Sequence, residues 1–138
     1  KRRLIRIYYY NSTVGRREEP ERYQQQLAFL DSVKLTPYCE LRLGRLVYNN
    51  WPSSSPYEKG VDIMLTTDLL THSFKNNYDI AVLVSGDGDF VGALQTVKDT
   101  GKNIEVALFG KERTSVPLRE VADRIVPIDR RFLKNCWK

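Results

Sequence analysis

Two aspartates two residues apart, Asp87 and Asp89, stand in the run Ser85-Gly86-Asp87-Gly88-Asp89, directly behind the apolar segment Ile80-Ala81-Val82-Leu83-Val84. An unbroken apolar run of this kind needs cover on both faces, so it predicts a central strand of a parallel sheet. Ligands of such sheets sit outside the carboxyl ends of the strands, and the two carboxylates fall there. Gly86 and Gly88 let the backbone turn tightly and approach a ligand. A carboxylate in this place also caps the next helix, and that plain role competes with a functional one. One acid suffices for a cap; a second, separated from it by glycine, favours a cation. Several acids without histidine or thiolate make a hard oxygen site, suited to Mg²⁺ or Mn²⁺ and poorly to zinc. The chemistry such a site serves is phosphoryl transfer to water. Ser85 adds a hydroxyl beside it.

Other charged residues are candidates through their place in the chain. Asp62 opens a predicted helix behind Lys59-Gly60; the helix dipole favours an acid there, and its side chain reaches the same crevice if that helix packs beside the strand Ile80 to Val84. Asp68 is six residues further, roughly 240° around a helix, so it does not share a face with Asp62 and reads as a supporting or packing polar residue. Glu58 and Lys59 flank the preceding loop. Lys59 suits a phosphate or a neighbouring acid, and an ordinary surface lysine equally well. Arg16, Arg17 and Arg45 join Lys59 as candidates to guide phosphate, chosen from charge and loop position.

The charge distribution supports this placement more than the total does. The 138 residues carry a formal charge of +5, but residues 1–57 contribute +5, residues 58–89 contribute −4 and residues 90–138 contribute +4. Carboxylates clustered within a basic surround suit a divalent cation beside a polyanion; most of these charges also read as solvated surface. Other chemistries are excluded by count. Two cysteines, Cys39 and Cys136, and one histidine, His72, cannot form a Cys/His zinc site or a disulfide framework. A lone histidine outside the crevice disfavours Ser-His-Asp and Cys-His catalysis. No GxGxxG and no Gly-Lys-Ser/Thr occurs, so a dinucleotide cofactor and a P-loop are disfavoured. No apolar run approaches the roughly 18 residues of a membrane span, and a cytoplasmic location is the matching expectation. The chain enters a strand at once, without an initiator Met or a signal-type cleavage site, and is expected to be a fragment of a longer chain.

The elements that must position these residues follow from periodicity. Leu4 to Tyr10 predicts a strand buried on both faces, Asn11 to Glu19 a loop, and Pro20 onward a helix with apolar Tyr23, Leu27, Leu30 and Val33, ending before Pro37. Cys39 to Tyr48 predicts a strand or hairpin-like segment, with Gly44 as a place for a bulge, and Asn49 to Tyr57 a mobile loop. A helix of about four turns runs from Gly60 through Val61, Met64, Leu65, Leu69 and Phe74, and Asn76-Asn77 stops it. Behind the acidic turn come a helix with Phe90, Ala93, Leu94 and Val97, Gly101 in the left-handed conformation at its end, and a strand from Ile104 to Phe109. A short helix capped by Ser115, a short strand at Ile125-Val126 and a turn from Arg131 to Asn135 close the chain. Alternating strands and helices predict one α/β domain over 1–138, with a mostly parallel sheet and helices on both faces.

The stretches Lys59-Gly60-Val61-Asp62-Ile63-Met64-Leu65-Thr66-Thr67-Asp68 and Tyr78-Asp79-Ile80-Ala81-Val82-Leu83-Val84-Ser85-Gly86-Asp87-Gly88-Asp89-Phe90 resemble the NYN domain of the LabA-like group, relatives of the PIN nucleases. Tyr8-Tyr9-Tyr10 and Leu118-Arg119-Glu120-Val121-Ala122-Asp123 extend the resemblance over nearly the whole chain. It implies a three-layer PIN-like, Rossmann-like sheet and a Mg²⁺- or Mn²⁺-dependent ribonuclease site. By position, Asp62, Asp87 and Asp89 become metal-site acids and Ser85 a neighbouring polar contributor. The family usually opens with a strand ending in an Asp, followed shortly by an Asn. Residue 1 already lies where the second strand begins, so the resemblance puts that first strand upstream of this chain.

The expected function is hydrolysis of RNA phosphodiesters by a metal-dependent endoribonuclease, with RNA as partner. The rival is a noncatalytic module of the same fold that holds RNA or a protein, and a weaker alternative is a phosphatase of small phosphoesters.

Overall fold

The computed structural model describes residues 1–109 and 115–136. The chain divides into two compact units, residues 1–65 and 66–138. The boundary falls inside a helix.

In the first unit, β1 (Ile7–Thr13) pairs in parallel with β2 (Cys39–Val47), running from Ile7 opposite Cys39 to Thr13 opposite Arg45. The helix α1 (Pro20–Lys34) makes the crossover between them and packs on both strands. Pro20 starts it because its missing N–H is one the first turn leaves unused anyway. Leu30 is buried, with Tyr23, Leu27 and Val33 half-buried on the same stripe. A short strand, β3 (Tyr57–Lys59), returns antiparallel on β2. This sheet is therefore mixed, in the order β1-β2-β3.

Two expectations change here. The first strand begins at Ile7 rather than Leu4, leaving Leu4 and Ile5 exposed, and it runs on through Asn11–Thr13, which composition assigns to a loop. Pairing decides this: the ladder with β2 starts at Ile7 and holds the polar residues as firmly as the tyrosines. The strand is also only half-buried at Tyr8 to Tyr10. Gly44 forms no bulge against β1, since the register passes through it unbroken. Its reason is space: a Cβ there would stand 2.7 Å from the Lys59 carbonyl oxygen and 2.8 Å from Val61 Cγ2.

The helix α2 (Val61–Phe74) spans the boundary and ends at Asn76, which takes the left-handed conformation with φ of 57°. The second unit then carries β4 (Ile80–Val84), a single 3-10 turn (Gly88–Phe90), α3 (Val91–Asp99), β5 (Asn103–Phe109), α4 (Val116–Val121) and β6 (Arg124–Ile128). Its sheet is all parallel, in the order β4-β5-β6. Gly101 closes α3 with φ of 83° as its place predicts. Leu94, Val97, Ile104, Val106 and Leu118 have essentially no exposed surface, and Phe90, Leu108 and Val121 complete this core.

The strand at the centre is β5, whose run from Ile104 to Leu108 is buried throughout. The more apolar β4 occupies an edge, with Val82 and Val84 each more than half exposed. An apolar run says that a strand avoids water, but neighbours decide which strand is central. Glu105, buried within β5 and opposite Arg124 on β6 at 3.8 Å, hid that strand's central position from the sequence. The strands also form two three-stranded sheets, where alternation predicts one. Among the described residues the fold is α/β, with parallel and mixed strands and four α-helices.

Candidate functional site

The acidic turn lies in the second unit, at the carboxyl end of β4. The backbone N–H of Asp87 donates to Ser85 Oγ at 3.1 Å, and the backbone N–H of Asp89 donates to Asp87 Oδ1 at 2.9 Å. Asp87 thus caps the 3-10 turn from an extended backbone, φ −78° and ψ 124°. The capping role weighed against a functional one is real for Asp87. It occupies one of its two carboxylate oxygens, while the Asp89 side chain caps nothing in this turn and both residues are exposed. Phe90, directly behind them, is buried and anchors the turn to the core. Ser115, at the start of α4, closes on the turn from the other side. Its N–H lies 3.5 Å from the Gly86 carbonyl, and a Cβ on Gly88 would meet its Oγ at 2.7 Å. Sequence gave Ser115 a capping position, and it holds that position without a side-chain capping bond. Its approach to Gly88 is a tertiary fact with no local signal.

The remaining predicted residues belong to the first unit or to α2. Asp62 is exposed in the first turn of α2. Asp68 is half-buried further along that helix. Arg45 and Lys59 stand directly opposite each other on β2 and β3, and Arg45 is also the register partner of Thr13 at the end of β1. Arg16 and Arg17 follow β1 in the exposed turn that leads to α1. All four basic candidates therefore gather around one end of the first unit's sheet. Like charges opposite one another cost stability.

Among the described residues, no three His, Cys, Asp or Glu side chains form a group able to hold a metal ion. The fold brings Asp87 and Asp89 onto one turn and leaves Asp62 and Asp68 on α2. Two exposed carboxylates nonetheless suit Mg²⁺, which keeps several waters and takes one or two protein carboxylates plus substrate phosphate oxygens.

Two other acids are held below the usual carboxylate range. Glu19 accepts from the Tyr48 hydroxyl at 2.7 Å and pairs with Arg22 at 3.0 Å; both contacts favour its ionised form. Burial pushes the Tyr48 hydroxyl up, its bond from the Gly15 N–H opposes this, and Glu19 adds to the rise. Asp123 accepts from the Ile104 N–H at 2.7 Å and pairs with Lys98 at 2.9 Å, in that order of effect. Burial likewise raises Tyr78, whose hydroxyl donates to the Leu69 carbonyl. These groups tie loops and strand ends together.

No helix among the described residues is long and apolar enough to cross a membrane. Compared with curated proteins, the chain matches none. Among solved structures it is similar to the crystal structure of a protein of unknown function from Vibrio parahaemolyticus. The identity is 24% and the TM-score 0.64, over 91% of this chain and 69% of that one. That likeness carries the fold alone. The family model of the NYN domain matches residues 1–129, nearly the whole chain, tyrosine strand and acidic turn included. The chain belongs to the NYN domain family, a PIN-like nuclease family.

Proposed function

We propose that this chain is a Mg²⁺- or Mn²⁺-dependent ribonuclease of the LabA-like group, with Asp87 and Asp89 at its cation site. The observation that supports this most is the exposed pair itself. Asp87 and Asp89 sit on one rigid turn beyond the carboxyl end of a parallel strand, in a chain of a PIN-like nuclease family. When bound, a divalent cation supplies Lewis acidity and neutralises charge developing on the phosphate. The chain's residues do the rest. Asp87, fixed through Ser85 and the Asp89 N–H, holds one oxygen outward. Asp89 adds a second carboxylate, and Ser85 keeps the turn in shape. Arg16, Arg17, Arg45 and Lys59 draw in the phosphate backbone, and Asp62 is assigned as a further acid of the site, with Asp68 in support.

Cleavage of a labelled single-stranded RNA with Mn²⁺ tests this. The chain cuts, chelation stops it, and Asp87→Asn or Asp89→Asn lowers the rate by roughly 100-fold or more, since each removes a charge from the cation site. Asparagine caps about as well as aspartate, so Asp87→Asn keeps the turn while losing the charge. Asp62→Asn shows whether the third acid takes part.

A second reading, a noncatalytic RNA-binding module, draws on the basic end of the first unit and on the lack of a three-acid group among the described residues. It predicts metal-independent RNA retention that falls steeply with salt and is indifferent to Asp87→Asn.

A further inference from the structure

The first unit carries a cleft of about 380 Å³ between the end of β1 and α1, with Leu46 and Glu58 at its far rim. That volume lies within the range of small-molecule sites. Ser12 of β1 and Val14 just beyond it line the cleft on one side, and Arg22, Gln25, Gln26 and Phe29 line it from α1.

Its wall is built rather than incidental. Gln26 reaches from α1 to β1 and uses both ends of its amide there: Oε1 accepts from the Val14 N–H at 2.9 Å, and Nε2 donates to the Ser12 carbonyl at 2.8 Å. The helix and strand are thereby locked at the cleft. Ser12 is only 2% exposed, and its Oγ is the one buried side-chain polar atom among the described residues without a hydrogen-bond partner. A hydroxyl taken out of water without a partner costs free energy. Ser12 is among the residues that line the cleft, which has room for a group that would supply one.

The lining also says what kind of group fits. Arg22 is already paired with Glu19, and Glu58 stands across the cleft with the opposite sign, so the charged side chains on the cleft do not favour an anion. The polar groups that remain are neutral: the Ser12 hydroxyl, the Gln25 amide, and the Asn11 amide, which is engaged by the Ser12 N–H and the Tyr9 hydroxyl. Phe29, half exposed, stands edge-on to Tyr9 with ring centroids 5.7 Å apart, which holds its ring as a platform. A neutral flat ligand with donors and acceptors along its edge matches this lining, and amide side chains pair with base edges while aromatic rings stack on base faces.

We infer that this cleft binds a nucleobase. The choice of a base over other flat neutral ligands rests on the RNA reading above, and the base comes either from an RNA strand or from a free nucleoside.

The test titrates adenosine, cytidine, guanosine and uridine, and the matching short single-stranded oligoribonucleotides, into the ¹⁵N-labelled chain, followed by NMR. At least one base gives saturable shifts at Ser12, Gln25 and Gln26. Ser12→Ala and Gln25→Ala each weaken binding by about 5- to 10-fold, the worth of one hydrogen bond. Ser12→Ala does so without lowering Tm, because the hydroxyl has no partner in the protein to lose. Tighter binding of the oligoribonucleotide identifies the RNA strand as the source; equal binding identifies a free nucleoside. If no nucleoside or oligoribonucleotide saturates these resonances, or both variants bind as the parent does, the inference is overturned and ordered water satisfies Ser12. RNA cleavage measured on the same samples separates the two claims. Cleavage without base binding overturns the cleft alone, and base binding without cleavage overturns the nuclease reading alone.

Discussion

The two units use the same chain chemistry to opposite ends. The second unit buries a parallel strand completely and packs Leu94, Val97, Ile104, Val106 and Leu118 out of reach of water. The first has a mixed sheet, and its buried apolar residues among those described are Val14 and Leu30. The proposed roles divide along the same line. The acidic turn stands on the dense unit, anchored by Phe90, where two like charges close together need a rigid support. The basic residues and the polar cleft stand on the thin unit, where exposed side chains can meet a long flexible polyanion. In the proposed reading, the carboxylates need fixed geometry and the phosphate contacts need surface.

The largest effect should come from the cores. Leu94→Ala, at a site with no exposed surface, is expected to cost about 3–5 kcal/mol, and Leu30→Ala nearer about 2 kcal/mol because its surroundings can collapse or admit water. Urea unfolding by circular dichroism measures both, and amide exchange locates them. Equal losses, or slower exchange in the first unit than in the second, would break the comparison.

Next come the close approaches of backbone. Gly44→Ala pushes a methyl group into the Lys59 carbonyl and Val61, both fixed by β3 and α2, and should cost about 1–3 kcal/mol. Gly88→Ala meets Ser115 Oγ at 2.7 Å, which can rotate away, and Ser115 Cβ at 3.0 Å, which yields only if the turn or α4 shifts slightly, so its cost should stay at about 1 kcal/mol. Its larger consequence is on RNA cleavage, because the displaced segment carries Asp87 and Asp89. If Gly88→Ala destabilises more than Gly44→Ala, the acidic turn is the tighter structure and the thin unit gives way around Gly44 more readily than its close contacts indicate.

Acid sensitivity sharpens the contrast further. The folded-state pKa of Asp123 lies below its unfolded value of about 3.9. Its ionised form therefore adds stability that is fully present above about pH 4 and is lost as pH falls through the depressed folded value. Asp123→Asn should lower Tm at pH 7, and the difference from the parent should shrink as pH falls through the depressed folded value. Glu19→Gln should behave the same way in the first unit, since Tyr48 and Arg22 depress Glu19. Solvent screens Asp123, whose side chain is 34% exposed, so its effect is modest; Glu19, at 15%, is screened less. Thermal melts from pH 2 to 7 decide the point, and a difference that grows on acidification would reverse the sign argued here.

Local chemistry was legible and assembly was not. Pro20 starting α1, Asn76 ending α2, Gly101 closing α3 and the turn from Ser85 to Asp89 all follow from backbone preferences that act within a few residues. Pairing is decided between distant residues, so the sequence hid the extension of β1 through Thr13, the three-residue β3 and the edge position of β4. The same limit applies to the site. The spacing of Asp87 and Asp89 marked them, whereas the orphaned Ser12 hydroxyl and the reach of Gln26 across to β1 come from tertiary packing of two polar residues with nothing local to set them apart.

The smallest expected effect probes the open side of the dense unit. Gly92 lies in the first turn of α3, three residues beyond Asp89, and a Cβ there would find nothing within 4 Å. Alanine in a helix is favoured over glycine by about 0.5–1 kcal/mol, so Gly92→Ala should raise Tm by a few degrees. Since the added methyl touches no part of the acidic turn, Mn²⁺-dependent cleavage of a short RNA should be unchanged. A rise in Tm with slower cleavage or weaker RNA binding would mean that the strand lies over this turn of α3 and that the open side is a contact surface. A fall in Tm would show that packing around α3 is closer than the space around Gly92 indicates, and would widen the difference between the units.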